Sequence, residues 1–287
     1  MRYWLTLLLL FANLSVAATW NISYPKSPDL FGQQDTYPLQ VLALALEHTN
    51  IRYEVTPTRK AITQRRAIEQ LKANREINVI WSMTDALREE ELLPVRIPIY
   101  KGLIGLRLFL VDEESADLMS PVQQLPELRS FIPIQSYEWP DTKILQANGF
   151  EVVTGSTKGQ MYNLLKTERV NFFPRSVIEI WDEMNSNNFP PDLKLENNLA
   201  IHYPTATYFF FNKKNVVLAN LVKTGLERAI ADGSFDKLFA SVHKKHLEKA
   251  KLNERIIFKL DNPLLPPETP INKRELWFDS ATFSINQ

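Results

Sequence analysis

From Trp20 onward the sequence alternates between two hydrophobic periods, and that alternation limits the fold more than any other feature. "WNISYP" (Trp20 to Pro25) has the content of a strand. "DTYPLQVLALALEH" follows with helical spacing, with Asp35 or Thr36 as its cap and Pro38 near its first turn. Its apolar residues run almost all round, the mark of a buried helix. "IRYEV" then alternates apolar and polar residues as a half-exposed strand does, "AITQRRAIEQLKA" returns to helical spacing, and "INVIWSM" is a short apolar strand. A β-α-β-α-β series of this kind implies parallel strands joined by right-handed helical crossovers, hence an α/β sheet covered on both faces.

A second series begins after "LIGLRLFLV" (Leu103 to Val111). "FIPIQ" is a strand, "WPDTKILQANG" a helix closed by Gly149, "EVVTG" a strand, "TKGQMYNLLKTER" a helix, "VNFFP" a strand and "SVIEIWDEM" a helix. The next strand, "YFFFN" (Tyr208 to Asn212), is followed by two helices, "NVVLANLVKTGLERAIADG" and "SFDKLFASVHKKHLEKA", that have no strands of their own to cover. A chain that crosses to a second lobe and returns lets those helices pack on the first, with a hinge made of the two crossing strands. The expected division is therefore lobe one over residues 19–106 and 207–247, and lobe two over residues 107–206. Beyond Ala250 the Pro-rich "NPLLPPETP" and the closing "WFDSATFSINQ" point to an extended tail over the surface, residues 248–287.

Composition narrows the function classes. Lys plus Arg and Asp plus Glu balance at 33 each. No overall charge marks nucleic acid or a membrane surface as the main partner, so electrostatic specificity must be local. The absence of Cys excludes disulfides, thiolate metal sites and Cys nucleophiles. At the start of the chain, Met1 and Arg2 precede a short apolar run, Leu5 to Leu10 with Phe11 and Ala12, and "LSVAATW" places small residues before a cut after Ala17 or Ala18. That is the pattern of a secretory signal peptide over residues 1–18. Asn13 and Ser15 interrupt a run already short of the roughly 20 apolar residues that a membrane span requires. The expectation is a soluble, monomeric mature chain in the periplasm.

Two stretches, "SMTDALREEELLPVRIPIYKGLIGLRLFLV" and "LERAIADGSFDKLFASVHKKHL", together with the order of elements, resemble the periplasmic solute-binding proteins of the type II fold. The likeness is to the family 3 group, which includes the polar amino-acid binders, and it covers roughly Trp20 to Leu247. In that family's first lobe a strand leads through a small residue and Met-Thr to an Arg a few residues into the next helix. Here these are Ser82, Met83, Thr84 and Arg88, with one residue fewer between Thr and Arg than is usual. The family's ending, a helix, "ADG", an aromatic and a final helix, is matched by Ala231-Asp232-Gly233-Ser234-Phe235. The resemblance implies an α/β, two-lobed fold with two hinge strands. It also implies capture of a small molecule between the lobes for a membrane transporter permease or a sensor.

Chemistry explains why the motif would work. In open α/β sheets ligands sit at the carboxyl ends of strands, where helix N-termini favour anions. Ser82 and Thr84 lie at that edge, and an Arg in the following helix can fork onto a carboxylate with two parallel hydrogen bonds. The resemblance gives Arg88 that role; the alternative is pairing with Glu89 or Glu91 on a solvated helix face. In lobe two the family places an acidic residue, partner of the ligand ammonium, near the end of the third strand. The matching segment here is "VNFFPRS", with Arg175 or Ser176 at the strand-to-helix junction. A cation there would repel an ammonium and favour an anionic solute, unless Arg175 pairs with Glu179 or Asp182 or points to solvent. Gln135, Ser136 and Tyr137 fall where the first lobe-two strand meets its helix, a place that offers N–H and hydroxyl contacts. Tyr24 and Trp81, near strand ends, would wall the pocket or join the core.

Other residues carry less. Arg59, Arg65 and Arg66 flank a helix start and read as a solvated face, with one of them in reach of the cleft as the alternative. His48, His202, His243 and His246 form no metal spacing; His243 and His246 stand i, i+3 on a Lys-rich helix with no carboxylate partner evident. No metal and no cofactor are expected. Two function classes remain. The first is a non-enzymatic solute-binding protein for a small polar, anionic solute; the second is a dehydratase-like enzyme on the same fold, with Glu179 or Asp85 as general acid. No paired carboxylates at a recognisable spacing, Ser-His-Asp arrangement or Gly-rich phosphate loop is visible, which favours binding.

Overall fold

The structure is a computed structural model and describes residues 19–26, 36–167 and 169–279. The expected signal peptide, residues 1–18, and the alternative cap Asp35 lie outside the described residues. The first part of the chain runs β1 (Thr19–Lys26), α1 (Thr36–Glu47), β2 (Arg52–Ala61), α2 (Gln64–Lys72), β3 (Val79–Met83), α3 (Ala86–Glu91) and β4 (Leu93–Val95). The second runs β5 (Leu106–Val111), α4 (Glu113–Met119), α5 (Leu125–Leu128), β6 (Ile134–Ser136), α6 (Pro140–Ala147), β7 (Val153–Gly155), α7 (Lys158–Leu165), β8 (Phe173–Ser176), α8 (Ile180–Met184), β9 (Lys194–Leu195) and β10 (Leu199–His202). Then come β11 (Thr207–Phe211), α9 (Val216–Ala231), α10 (Ser234–Ala250) and β12 (Ile256–Lys259). Among the described residues no helix is long and apolar enough to cross a membrane.

The strands gather into two groups of mixed direction, not purely parallel ones. β1 and β2 are parallel, and the Asn78 N–H bonds the Ser23 carbonyl at 2.8 Å to bring β3 beside β1. β11 then lies antiparallel between β3 and β4. In the other sheet β6 and β7 are parallel, an isolated bridge from Pro133 to Phe172 ties β6 to β8, and β5 runs antiparallel to β8, β9 and β10. The departures from parallel pairing come where the chain changes sheets. A strand that returns after such a crossing meets its neighbours head to tail.

The two crossing segments touch at Gly105, whose carbonyl accepts from the Tyr203 N–H at 3.1 Å. A Cβ on Gly105 would overlap the Tyr203 carbonyl oxygen, so this approach requires glycine. Helices α9 and α10 pack on α1. Gly225 of α9 lies against the Ala45 carbonyl of α1 and leaves no room for a side chain. Between α9 and α10, Gly233 adopts φ 78 and the Asp232 carboxylate accepts from the Ser234 N–H at 2.8 Å and from His48 Nε2 at 2.8 Å. The "ADG" and aromatic pattern is thus a tight joint that buries Phe235 completely.

Three boundaries differ from the periodicity reading. β2 continues through Ala61, so α2 starts only at Gln64, capped by Thr63. β8 extends through Arg175 and Ser176, because β5 keeps offering backbone partners at Leu108 and Arg107. The tail after Ala250 is not merely draped. β12 pairs in parallel with β10, Phe258, Leu260 and Leu276 are buried, and the Phe278 N–H bonds the Lys101 carbonyl at 2.8 Å. An edge strand such as β10 exposes unpaired backbone groups, and β12 satisfies them.

Candidate functional site

The first group of candidate residues gathers at the end of β3. Ser82 is buried, and its Oγ accepts from Gln64 Nε2 at 2.5 Å, which ties the start of α2 to the strand. The Thr84 N–H donates to the Ala206 carbonyl at 2.8 Å, and its Oγ1 donates to Glu89 Oε1 at 2.6 Å. Asp85 caps α3 by accepting from the Arg88 N–H at 2.8 Å. The Arg88 side chain turns back onto the strand. One terminal nitrogen donates to the Met83 carbonyl and stands 3.1 Å from Asp85 Oδ2, while Nε is buried with no hydrogen-bond partner. Burial pulls the guanidinium pKa down and Asp85 offsets part of that. Glu89 and Glu91, the partners its sequence neighbourhood offers, are engaged elsewhere, with Arg96 at 2.6 Å and Lys72 at 2.8 Å.

Tyr24 and Trp81 meet across β1 and β3 with ring centroids 5.7 Å apart, both half-buried. Trp81 also packs edge-on against Phe209. Successive strand residues point to opposite faces, so Trp81 and Ser82 do not wall the same side of the sheet. Arg59, Arg65 and Arg66 are exposed.

The second group lies in the other sheet. Gln135 and Ser136 are buried in β6. Gln135 Nε2 donates to the Pro174 carbonyl at 3.0 Å, and its Oε1 has no partner. Ser136 serves the turn into α6: its Oγ accepts from the Glu138 N–H at 3.3 Å and its carbonyl from Thr142 Oγ1 at 2.7 Å. Tyr137 is 58% exposed, with its hydroxyl donating to Glu138 at 3.2 Å. Ser176 Oγ is turned inward and donates to the Leu103 carbonyl at 3.1 Å.

Arg175 is where the expectation changes most. The residue is 2% exposed and forks onto Glu183, Nε to Oε2 at 2.8 Å and Nη2 to Oε1 at 2.6 Å, with Glu179 Oε2 at 3.3 Å. Its plane lies over Trp139 and Phe173, 4.9 and 5.0 Å from the ring centroids. Lys158 from α7 stands 3.0 Å from the same Glu183 carboxylate. Burial alone would push the Glu183 carboxyl up, but Arg175 and Lys158 hold it well below the usual range; burial alone would pull Arg175 down, but Glu183 and Glu179 hold it charged. Arg175 is therefore not a free cation at a strand-to-helix junction, because the strand runs on through it and the fold supplies its counter-ion.

Beside it, Arg107 binds Asp141 and the Tyr203 hydroxyl, with Glu179 at 3.6 Å. Glu183, Lys158, Arg107, Asp141 and Tyr203 were not legible as a set. Arg107 lies 34 residues from Asp141 and 96 from Tyr203, and no local spacing joins such pairs. Glu183 escapes because α8 begins at Ile180, so Arg175 belongs to the strand and not to that helix.

No family model matches the chain and no curated protein matches it. Solved structures do match. The periplasmic VFT2 domain of BvgS from Bordetella pertussis is 13% identical with a TM-score of 0.57, covering 78% of this chain and 93% of that one. A Salmonella typhimurium periplasmic binding protein of high arginine specificity is 13% identical with a TM-score of 0.55, over 80% of this chain and 99% of that one. The substrate-binding protein of an amino acid ABC transporter is 13% identical with a TM-score of 0.52, over 79% and 100%. The chain has the α/β fold of the periplasmic binding proteins.

Proposed function

We propose that this chain is a solute-binding protein that takes up a small polar solute between two lobes, residues 19–106 with 207–247 and residues 107–206, and presents it to a membrane transporter or a sensor. Export to the periplasm by a signal peptide over residues 1–18 belongs to the same reading. Arg88 carries it: a guanidinium held back against the end of β3, with Nε buried and unmatched, is poised for an acceptor oxygen from a ligand. The solved proteins of this fold include amino-acid binders and a sensor kinase domain, which supports both kinds of partner.

With Arg175 neutralised by Glu183, the ligand needs one anionic or acceptor-rich end and not two. Binding is favoured over dehydratase-like catalysis because both candidate acids are held by guanidinium groups, Asp85 by Arg88 and Glu179 by Arg175 and Arg107. The test is a thermal-shift screen of small polar solutes, since a ligand that binds only the native state raises the melting midpoint by mass action. For the solute so found, Arg88→Ala is expected to weaken binding by roughly 2 to 5 kcal/mol. Unaltered affinity in that variant removes Arg88 from the site, and turnover of the solute replaces binding by the enzyme reading.

A further inference from the structure

Beyond α10 the chain passes between the two proposed lobes twice more. It leaves the end of α10 through Lys251, at φ 49, and joins the other sheet at Ile256 as β12, parallel to β10. Arg255 fastens that passage. Its side chain is 3% exposed; Nε donates to the Ala250 carbonyl at the end of α10 at 2.8 Å, and one terminal nitrogen donates to the Glu196 and Leu199 carbonyls at 2.7 and 3.1 Å. A single guanidinium thus holds both sides of the crossing. Phe258 and Leu260 then pack with Phe109, Phe150, Leu199 and Ile201. At the end of α6, the Asn148 side chain accepts from the Asp261 N–H at 3.0 Å and donates to the Asp261 carbonyl at 2.7 Å.

The way back is stiff and ends on the hinge. Pro263, Pro266, Pro267 and Pro270 fix φ along it, and a Pro-rich stretch acts as a spacer more than as a slack tether. Asn262 Nδ2 donates to the Pro204 carbonyl of the second crossing segment at 2.8 Å. Beside the first crossing segment, the Trp277 ring packs on Gly102 so closely that a Cβ there would overlap it. The Trp277 indole N–H donates to the Pro270 carbonyl at 2.9 Å, the Phe278 N–H to the Lys101 carbonyl at 2.8 Å, and Lys101 Nζ to the Glu275 carbonyl at 2.9 Å. Lys101 also pairs with Asp236 of α10 at 2.6 Å.

A hinge turns through changes of φ and ψ in a few residues of the crossing segments. Here each crossing segment is tied to a further stretch of chain whose anchors lie in opposite lobes. Rotation has to break the Arg255 fork, the Asn148 pair or the seat of Trp277. Covering the edge of β10 accounts for β12 but not for the return, which adds nothing to that edge and lands on Pro204, Lys101 and Gly102. We infer that residues 251–278 form a strap across the hinge that restricts rotation of one lobe against the other. The inference rests on the two-lobe division proposed above, and on neither Arg88 nor the solute.

The test uses the full mature chain with no solute added. The sequence has no Cys, so Lys223→Cys on α9 and Lys143→Cys on α6, both exposed, place one spin label on each lobe, and pulsed electron resonance reads the distance between them. Asn148→Ala with Asn262→Ala removes the ties to α6 and to Pro204 at half-buried positions, and Trp277→Ala, made separately, removes the seat on Gly102. Well below the melting midpoint, either change is expected to shift or broaden the distance distribution by more than about 2 Å, the scale that separates a domain rearrangement from side-chain adjustment. A native distribution in both variants, with only the melting midpoint lowered, makes the tail a stabilising cover and overturns the inference. Gly105→Ala, which forces the Tyr203 carbonyl away from the first crossing segment, tells two failures apart. A distance that moves in Gly105→Ala but in neither strap variant sinks the strap and leaves the two lobes, whereas a distance that moves in none of them sinks both.

Discussion

Replacing Arg175 by Met keeps the buried stem and removes the guanidinium. Two charge-assisted hydrogen bonds to Glu183, at 2.8 and 2.6 Å, are lost, together with a weaker one to Glu179 at 3.3 Å. Each such bond is worth about 1.5–3 kcal/mol when a charge is involved. Glu183 remains fully buried, with Lys158 at 3.0 Å as its remaining cation. Lys158 recovers part of the loss, and the net cost should be about 3–5 kcal/mol, the range for breaking a buried pair. At roughly 2–4 °C per kcal/mol for a protein of this size, the melting midpoint should fall by about 10 °C. Urea denaturation should show the same loss in midpoint with an unchanged slope. The triple change Arg175→Met, Glu183→Leu and Lys158→Met removes all three charges together and should recover most of the stability, because no buried ion is then left alone. An Arg175→Met protein that melts like the native one but loses its solute would refute this reasoning and make Arg175 a ligand contact after all.

Gly225→Ala drives a methyl into the Ala45 carbonyl of α1, and since neither backbone can move without parting α9 from α1, a loss of about 1–3 kcal/mol is expected in denaturant melts; a neutral result would mean the helices are further apart than described. Truncation after Ala250 uncovers the edge of β10 and removes the buried Phe258, Leu260 and Leu276, each worth about 1.5–3 kcal/mol of burial, so the shortened chain should melt well below the full one. An unchanged melt would show the tail to be dispensable. Stability should also depend on pH through His243. Its folded pKa lies near 3 and its unfolded one near 6.5, so between those values the unfolded chain binds the extra proton and stability falls as pH falls. The loss from pH 6.5 to pH 5 should be about 1.7 kcal/mol, because the slope starts at half of about 1.4 kcal/mol per unit and reaches the full value as the unfolded ring fills. His48, raised by Asp232, titrates the other way, and His202 and His246, lowered chiefly by burial, the same way; all three remain in a His243→Phe protein, so the difference between the native and variant pH profiles reports His243 together with its interaction with His246. Identical profiles would show that His243 is not held neutral.

Much of the first series was visible along the chain. The strands "WNISYP" and "INVIWSM", the helix over "YPLQVLALALE" and the Ala231-Asp232-Gly233 joint all appear, because period, capping and a positive φ act within a few residues. Arg88 was legible as a candidate only through the family resemblance carried by Ser82, Met83 and Thr84, since its own acidic neighbourhood pointed to Glu89 or Glu91. Its actual partners, the Met83 carbonyl and Asp85, are also close in sequence, but the preference for Asp85 over Glu89 and Glu91 needed the turn into α3 and the rival cations Arg96 and Lys72.

What the amino-acid order determined by itself was the succession of strands and helices in the two α/β series, since backbone hydrogen bonding and hydrophobic period are local properties. Tertiary structure alone decided which charges are free. Arg175 looks like an open cation until β5 extends β8 beneath it and α8 and α7 bring Glu183 and Lys158 to the same place. It also decided the antiparallel returns, the strand made by the tail, and the meeting of His243 with Asp182 and Glu179 around one cavity. The strand pairings and the cavity join residues tens to more than a hundred positions apart, and Glu183, only eight positions from Arg175, meets it across the end of a strand and the start of a helix. Such pairings depend on desolvation and on the competition among all possible partners, quantities that exist only once the chain is folded.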